Sequence, residues 1–136
     1  MHISPYIQFN GNCEEAFNFY VKAIGASIEM MSRFEGSPAE AQTSPEWRKK
    51  IIHARLRIGN TQLLASDSPP GRYEAGAGYH VALLTDSVED ADRIFKALSQ
   101  GGQVHVPIAE TFFAPRFGML ADKYGIRWMI LRNTET

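Results

Sequence analysis

Two stretches of this chain, 75 residues apart (12 to 87), spell the same short pattern, and that repetition limits the fold more than any other feature. Asn12-Cys13-Glu14-Glu15-Ala16-Phe17 and Ser87-Val88-Glu89-Asp90-Ala91-Asp92 each begin with a helix-capping residue, carry an acid three positions later and follow a short apolar strand. At that spacing Pro5 falls opposite His80, Ile7 opposite Ala82 and Tyr20 opposite Phe95. The chain reads as two copies of one unit, and only the second has a histidine on its first strand.

Residues 3–9 have strand composition, and Pro5, which has no amide donor, places this strand at an edge or short of a ladder bond. Asn12 then caps a helix. Glu14 and Glu15 suit its positive end, Ala16, Phe17, Tyr20, Val21 and Ile24 recur at three-and-four spacing, and Gly25 stops it. Residues 26–34 read as a second strand, and 35–46 as a polar loop free to move. Residues 50–58 alternate Ile52, Ala54, Leu56 and Ile58 against His53, Arg55 and Arg57, and Gly59-Asn60 turns them into a strand over 61–66. The second copy repeats the order: a strand over 79–85, a helix capped by Ser87 and ended by Gly101-Gly102, then strands over 103–108, 116–122 and 126–132.

Each copy is therefore strand, helix, three strands. The predicted fold is α+β: two βαβββ modules, residues 1–67 and 78–133, joined by a linker over 68–77 within one domain. One helix covers one face of such a sheet and leaves the other to find a partner. Two uncovered faces, from one chain or from two, would wrap a central cavity.

At 136 residues the chain has the size of one domain, and a formal net charge of -1 gives no electrostatic footprint for nucleic acid. No apolar run is long enough to span a bilayer, and residues 1–10 lack the pattern of a signal peptide. The single cysteine, Cys13, cannot form an internal disulfide, which fits a cytoplasmic protein. No Ser-His-Asp elbow or phosphate-binding loop is visible.

Five segments carry a family resemblance. Pro5-Tyr6-Ile7-Gln8-Phe9-Asn10-Gly11-Asn12-Cys13, His53-Ala54-Arg55-Leu56-Arg57-Ile58-Gly59, Ser66-Asp67, Glu110-Thr111-Phe112-Phe113 and Asp122-Lys123-Tyr124-Gly125-Ile126-Arg127-Trp128-Met129-Ile130 resemble the PhnB-like branch of the vicinal oxygen chelate superfamily. That superfamily includes glyoxalase I, bleomycin-resistance proteins and extradiol dioxygenases. The resemblance implies its two-module fold around a cavity, a homodimer and a small-molecule ligand. Some PhnB-like proteins are labelled methyltransferases, but this chain lacks the glycine-rich strand-to-helix loop and following acid of an S-adenosylmethionine site.

Metal-dependent members place His or Glu ligands on the first and last strands of each copy. The corresponding positions here are Pro5, His80, Leu63 and Met129, of which only His80 can ligate a hard divalent ion. The expectation is a cavity that binds a small organic metabolite with no cofactor; the alternative is a divalent-metal or His80-dependent lyase, isomerase or dioxygenase-like enzyme. Such a metal site would need a loop acid, Glu40 or Glu46. His80 is either a core histidine bonded to a backbone carbonyl or, with His53 beside it in function, an acid-base residue. Arg55, with Arg57, would attract a carboxylate, phosphate or phosphonate, or merely decorate an exposed sheet face. Phe112, Phe113 and Arg116, with Trp47 from the polar loop, are the expected ligand contacts. Asp67 and Asp122 are expected to cap turns, and Cys13 to pack.

Overall fold

A computed structural model describes residues 1–133. The chain divides into two compact units between Glu74 and Ala75, inside the expected linker. The first unit contains β1 (Tyr6–Phe9), α1 (Cys13–Ile24), β2 (Ser27–Arg33), β3 (Ile51–Ile58) and β4 (Thr61–Asp67). The second contains β5 (Val81–Thr85), α2 (Val88–Ser99), β6 (Gln103–Ala109), β7 (Arg116–Ala121) and β8 (Arg127–Arg132). The sheets run β1-β4-β3-β2 and β5-β8-β7-β6. In each, the first and last strands pair in parallel and the others antiparallel. The two βαβββ modules of an α+β fold are thus present. Pro5 stands at an edge as expected: β1 is an outer strand, and the Pro5 carbonyl accepts from the Leu64 amide at 3.0 Å.

In the first module α1 lies across β2, β3 and β4. Cys13, Ala16, Phe17 and Tyr20 on the helix, with Phe9, Ala54, Leu56, Leu63 and Ala65 on the strands, are the buried core. Phe9 meets Phe17 edge-on, ring centres 6.4 Å apart. Burying each large side chain contributes roughly 1.5–3 kcal/mol. The alternation expected along β3 breaks at its start. Ser32 pairs with His53 and Arg33 with Ile51, so Ile52 is the extra residue of a bulge and Ile51 takes the buried place.

The helix start differs from the sequence expectation. Asn12 makes no side-chain cap bond. Instead Asp67, at the end of β4, accepts from the Gly11 and Cys13 amides through Oδ1, both at 3.0 Å, and from the Ile51 amide through Oδ2 at 2.8 Å. A carboxylate with two acceptor oxygens takes donors from three elements, which an amide with one acceptor oxygen cannot do. At the far end Gly25 adopts φ 82°, a left-handed conformation, and its amide closes onto the Val21 carbonyl.

In the second module Ser87 caps α2 as expected, its Oγ accepting from the Asp90 amide at 3.0 Å. Ala91, Ile94, Phe95 and Leu98 are buried with Leu120, Trp128 and Ile130 of the sheet below. Gly118 lets β7 pass beneath the helix: a Cβ there would stand 2.6 Å from the Phe95 ring. The polar loop of the first module is folded on itself. It contains a short 3-10 turn, Glu40–Gln42, with Ser37 Oγ donating to the Phe34 carbonyl at 2.6 Å and Thr43 Oγ1 to the Ala39 carbonyl at 2.7 Å. No helix among the described residues is long and apolar enough to cross a membrane.

Candidate functional site: the uncovered sheet faces

Successive strand residues point to opposite sides, so the residues next to the buried ones define the face that each helix leaves open. In the first module Phe9, Ala54, Leu56, Leu63 and Ala65 turn toward α1. Tyr6 and Gln8 on β1, His53, Arg55 and Arg57 on β3, and Gln62 and Leu64 on β4 therefore share the open face. This face is polar and partly organised. The Tyr6 hydroxyl and His53 Nδ1 are hydrogen-bonded at 3.2 Å, with their rings stacked 5.7 Å apart at 26°. Arg57 Nε stands 3.1 Å from Glu29 Oε1, and Gln62 Nε2 donates to the same oxygen at 3.1 Å. Partial desolvation pushes the Glu29 carboxyl up, but the hydrogen bonds from Gln62 and Arg57 and the charges of Arg57 and Arg55 hold it below the usual range. Arg55 has its Nε buried with no hydrogen-bond partner.

The second module's open face is different in kind. Val81 and Leu83 pair with the buried Trp128 and Ile130, so Ala82 and Leu84 point away from α2. Leu84 is 59% exposed. Phe117 lies opposite Leu131, and Met119 opposite Met129, on the same side. Thr111 closes the turn before β7, its amide donating to the Ala114 carbonyl at 2.9 Å and its Oγ1 accepting from the Ala114 amide at 3.1 Å. The turn holds Phe112 and Phe113 at its tip, 100% and 49% exposed, and Phe113 stands edge-on to Phe117 at 5.1 Å.

Several expected site residues fall elsewhere. Arg116 precedes Phe117 and so points to the opposite side of β7, where its Nε donates to Asp92 of α2 at 2.9 Å. Trp47 packs on the backbone at the start of α1, because a Cβ on Gly11 would meet its ring at 2.9 Å, and Lys50 Nζ lies 5.9 Å from the ring centre. Gly11 and Lys50, which it touches, line a cleft of about 550 Å³ with Asn12, Glu14, Glu15, Arg33 and Lys49. Two of the cleft's charges are spent on each other: Arg33 holds Glu14 through both guanidinium ends, at 3.2 and 2.7 Å. Glu40 is engaged in its own loop, accepting from the Gly36 amide at 3.2 Å. Asp67 and Asp122 are structural caps. Asp122 Oδ1 accepts from the Tyr124 and Ile126 amides at 2.9 and 3.0 Å, and its Oδ2 from Trp128 Nε1 at 2.9 Å. Cys13 is fully buried, and burial first, then the charges of Asp67 and Glu14, push its thiol far up.

His80 lies just before β5, half-exposed, on the side of Ala82 and Leu84. It makes no hydrogen bond or ion pair among the described residues, so it is not a core histidine bonded to a carbonyl. Its counterpart in the first module is Tyr6 rather than Pro5. The helices keep the 75-residue offset (13 to 88), but the open-face residues of β1 and β5 are Tyr6 and Gln8 against His80 and Ala82. Leu63, aligned with a ligand position, is instead in the core beneath α1. A resident catalytic metal needs about three protein ligands. Among the described residues no group of three or more His, Cys, Asp or Glu side chains is placed to hold one.

Tyr6, Leu84 and the Met119–Met129 pair escaped the sequence reading. Counting back from Phe9 in steps of two would have found Tyr6 by exclusion.

Comparison with known proteins agrees with the architecture. The family model described as Glyoxalase/Bleomycin resistance protein/Dioxygenase superfamily matches residues 2–130. Protein YjdN of Escherichia coli K12 is 33% identical over 138 aligned positions, covering 96% of this chain and 94% of that protein. The crystal structure of PA1353 from Pseudomonas aeruginosa superposes with a TM-score of 0.88 at 42% identity, covering 98% of each chain. A PhnB protein from Bacillus cereus, whose description also proposes a 3-demethylubiquinone-9 3-methyltransferase, has a TM-score of 0.80 at 25% identity and covers 97% of this chain and 99% of its own.

Proposed function

This chain belongs to the glyoxalase/bleomycin resistance protein/dioxygenase superfamily, and from that premise we propose that it binds a small organic molecule on its uncovered sheet faces without a tightly held metal. The observation that carries this reading is the open face of the second module. Phe113, Phe117, Leu84, Met119 and Met129 form an aromatic and aliphatic surface that nothing within the module covers. Apolar surface of that kind on a small domain marks a ligand or partner site. The polar face of the first module carries, by itself, oriented donors of the kind that select a ligand.

The same reading makes the working unit a homodimer, since an exposed apolar sheet face is stabilised by burial against a second copy. One preparation tests both parts. Sedimentation should give about twice the 15.2 kDa chain mass. Plasma mass spectrometry after incubation with zinc, nickel, manganese or iron(II) should find less than about a tenth of an equivalent per chain. A monomeric mass would remove the dimer. Close to one equivalent, abolished in His80→Ala, would replace this reading with a metalloenzyme.

An enzyme reading draws on the half-buried ring of His80, just before β5, which has no hydrogen-bond partner among the described residues. Turnover that survives a chelator and disappears in His80→Ala would favour it over simple binding.

A further inference from the structure

The open face of the first module holds one polar group that the fold leaves unsatisfied. Arg55 is part-exposed, its Nε is shielded from water, and that nitrogen has no acceptor among the described residues. A buried N–H without a partner costs free energy, and a guanidinium N–H more than a neutral one. The neighbouring cation shows what a satisfied arginine on this face looks like: Arg57 is bridged to Glu29, which Gln62 also holds. Glu29 feels the charge of Arg55 but spends its oxygens on Arg57 and Gln62. Among the described residues, one arginine of the strand thus has a carboxylate and the next has none.

Across the sheet, Arg55 lies opposite Met30 on one side and Leu64 on the other, and Leu64 is level with Tyr6. Two residues along β3 stands His53, stacked on Tyr6. A planar guanidinium fork with an aromatic pair and two aliphatic side chains beside it has the donors for an oxyanion and the apolar walls for the carbon skeleton attached to it.

We propose that Arg55 anchors an oxyanion of the ligand, a carboxylate, phosphate or phosphonate, with the organic part of the molecule lying over Leu64 and the Tyr6–His53 pair. This assignment rests on the small-molecule reading above and specifies the ligand as a small organic acid. A terminal oxyanion takes two N–H bonds from the guanidinium fork. Lysine, a point charge without the fork, cannot reproduce that geometry.

The test titrates the full chain, in excess chelator, with phenylphosphonate, benzoate, inorganic phosphate and the neutral benzyl alcohol, read by calorimetry and by the Arg Nε–Hε signals in nitrogen-15 NMR. Wild type, Arg55→Gln, Arg55→Lys and Arg57→Gln are compared. The expected result is that at least one aromatic acid binds about tenfold or more tightly than benzyl alcohol and moves the Arg55 Nε–Hε resonance. That preference should fall by about ten- to a hundredfold in Arg55→Gln, the size of a lost charge-assisted pair, be restored only in part by lysine, and change by about threefold or less in Arg57→Gln. The arms separate sources: benzoate alone indicates a carboxylate, phenylphosphonate alone a phosphonate or phosphate ester, and inorganic phosphate alone overturns the organic part of the assignment. Equal binding of acids and benzyl alcohol in wild type and Arg55→Gln would overturn the anchor while leaving small-molecule binding standing. No binding by any probe would overturn both. If Arg55→Gln fails to fold, the wild-type Arg55 resonance still decides: unmoved at saturation, it refutes the contact.

Discussion

At the residue scale, the buried groups that look most reactive in the sequence turn out to hold the backbone in place. Asp67 draws amides from the turn before α1, from α1 itself and from the start of β3 onto one carboxylate. The sequence showed an acid beside a turn, which is the legible half of this role; its partners lie 54, 56 and 16 positions away, and local pattern cannot register them. Cys13 is enclosed in the same corner, and its thiol is held neutral chiefly by burial, then by the negative charge of Asp67 and Glu14. The sign of the pH effect follows. An unfolded chain ionises this thiol above pH of about 8.5 while the folded chain does not, so its contribution to stability is complete below that value and is lost as pH rises above it, at up to about 1.4 kcal/mol per unit. Urea unfolding between pH 8 and 10 should show this slope in the wild type and a flatter one in Cys13→Ala, and iodoacetamide should label the native protein at least about a hundredfold more slowly than the unfolded chain. Equal slopes, or rapid labelling of the folded protein, would contradict the burial argument.

At the scale of elements, the repeat was legible because helices announce themselves locally. Both helices have twelve residues, and both begin at the point the shared pattern marks. What the pattern could not give was the side of each strand residue. The bulge at Ile52 puts Ile51 in the core in its place, and the one-residue difference between β1 and β5 puts Tyr6 rather than Pro5 on the open face beside His53; Leu63, level with Leu56, proved to be core. Arg116 illustrates the same limit: adjacency to the aromatic turn in sequence placed it beside Phe112 and Phe113, and strand alternation turned it to Asp92. The two helix starts, alike in sequence, are capped differently, and this gives a direct comparison. Ser87→Ala should cost about 0.5–2 kcal/mol because a cap bond is lost, whereas Asn12→Ala should cost less than about 0.5 kcal/mol because Asp67 already satisfies that helix start. Denaturant midpoints of the two variants measure this, and equal losses would show that Asn12 caps after all.

At the scale of the molecule, each helix commits one sheet face to a core and leaves the other with its chemistry unspent. The first module's open face keeps polar groups, among them an arginine whose Nε has no acceptor among the described residues; the second keeps aromatic and aliphatic side chains exposed to water. Family membership explains the architecture without naming the chemistry, since one fold carries many activities and function rests on the side chains of the site. Those side chains were partly legible: His53, Arg55, Phe112 and Phe113 were singled out in the sequence and stand at open faces, while Trp47 and Arg116 were singled out and serve packing and pairing. The central claim is that these open faces bind small organic molecules without a metal. The most direct measurement is methyl and aromatic NMR of the full chain, in excess EDTA, titrated with benzyl alcohol and with benzoate. Saturable shifts are expected at Tyr6 and His53, or at Phe113, Phe117, Met119 and Met129, with Phe17 and Phe95 beneath the helices unmoved. Spectra that stay unchanged, or that change only after a divalent metal is restored, would contradict it.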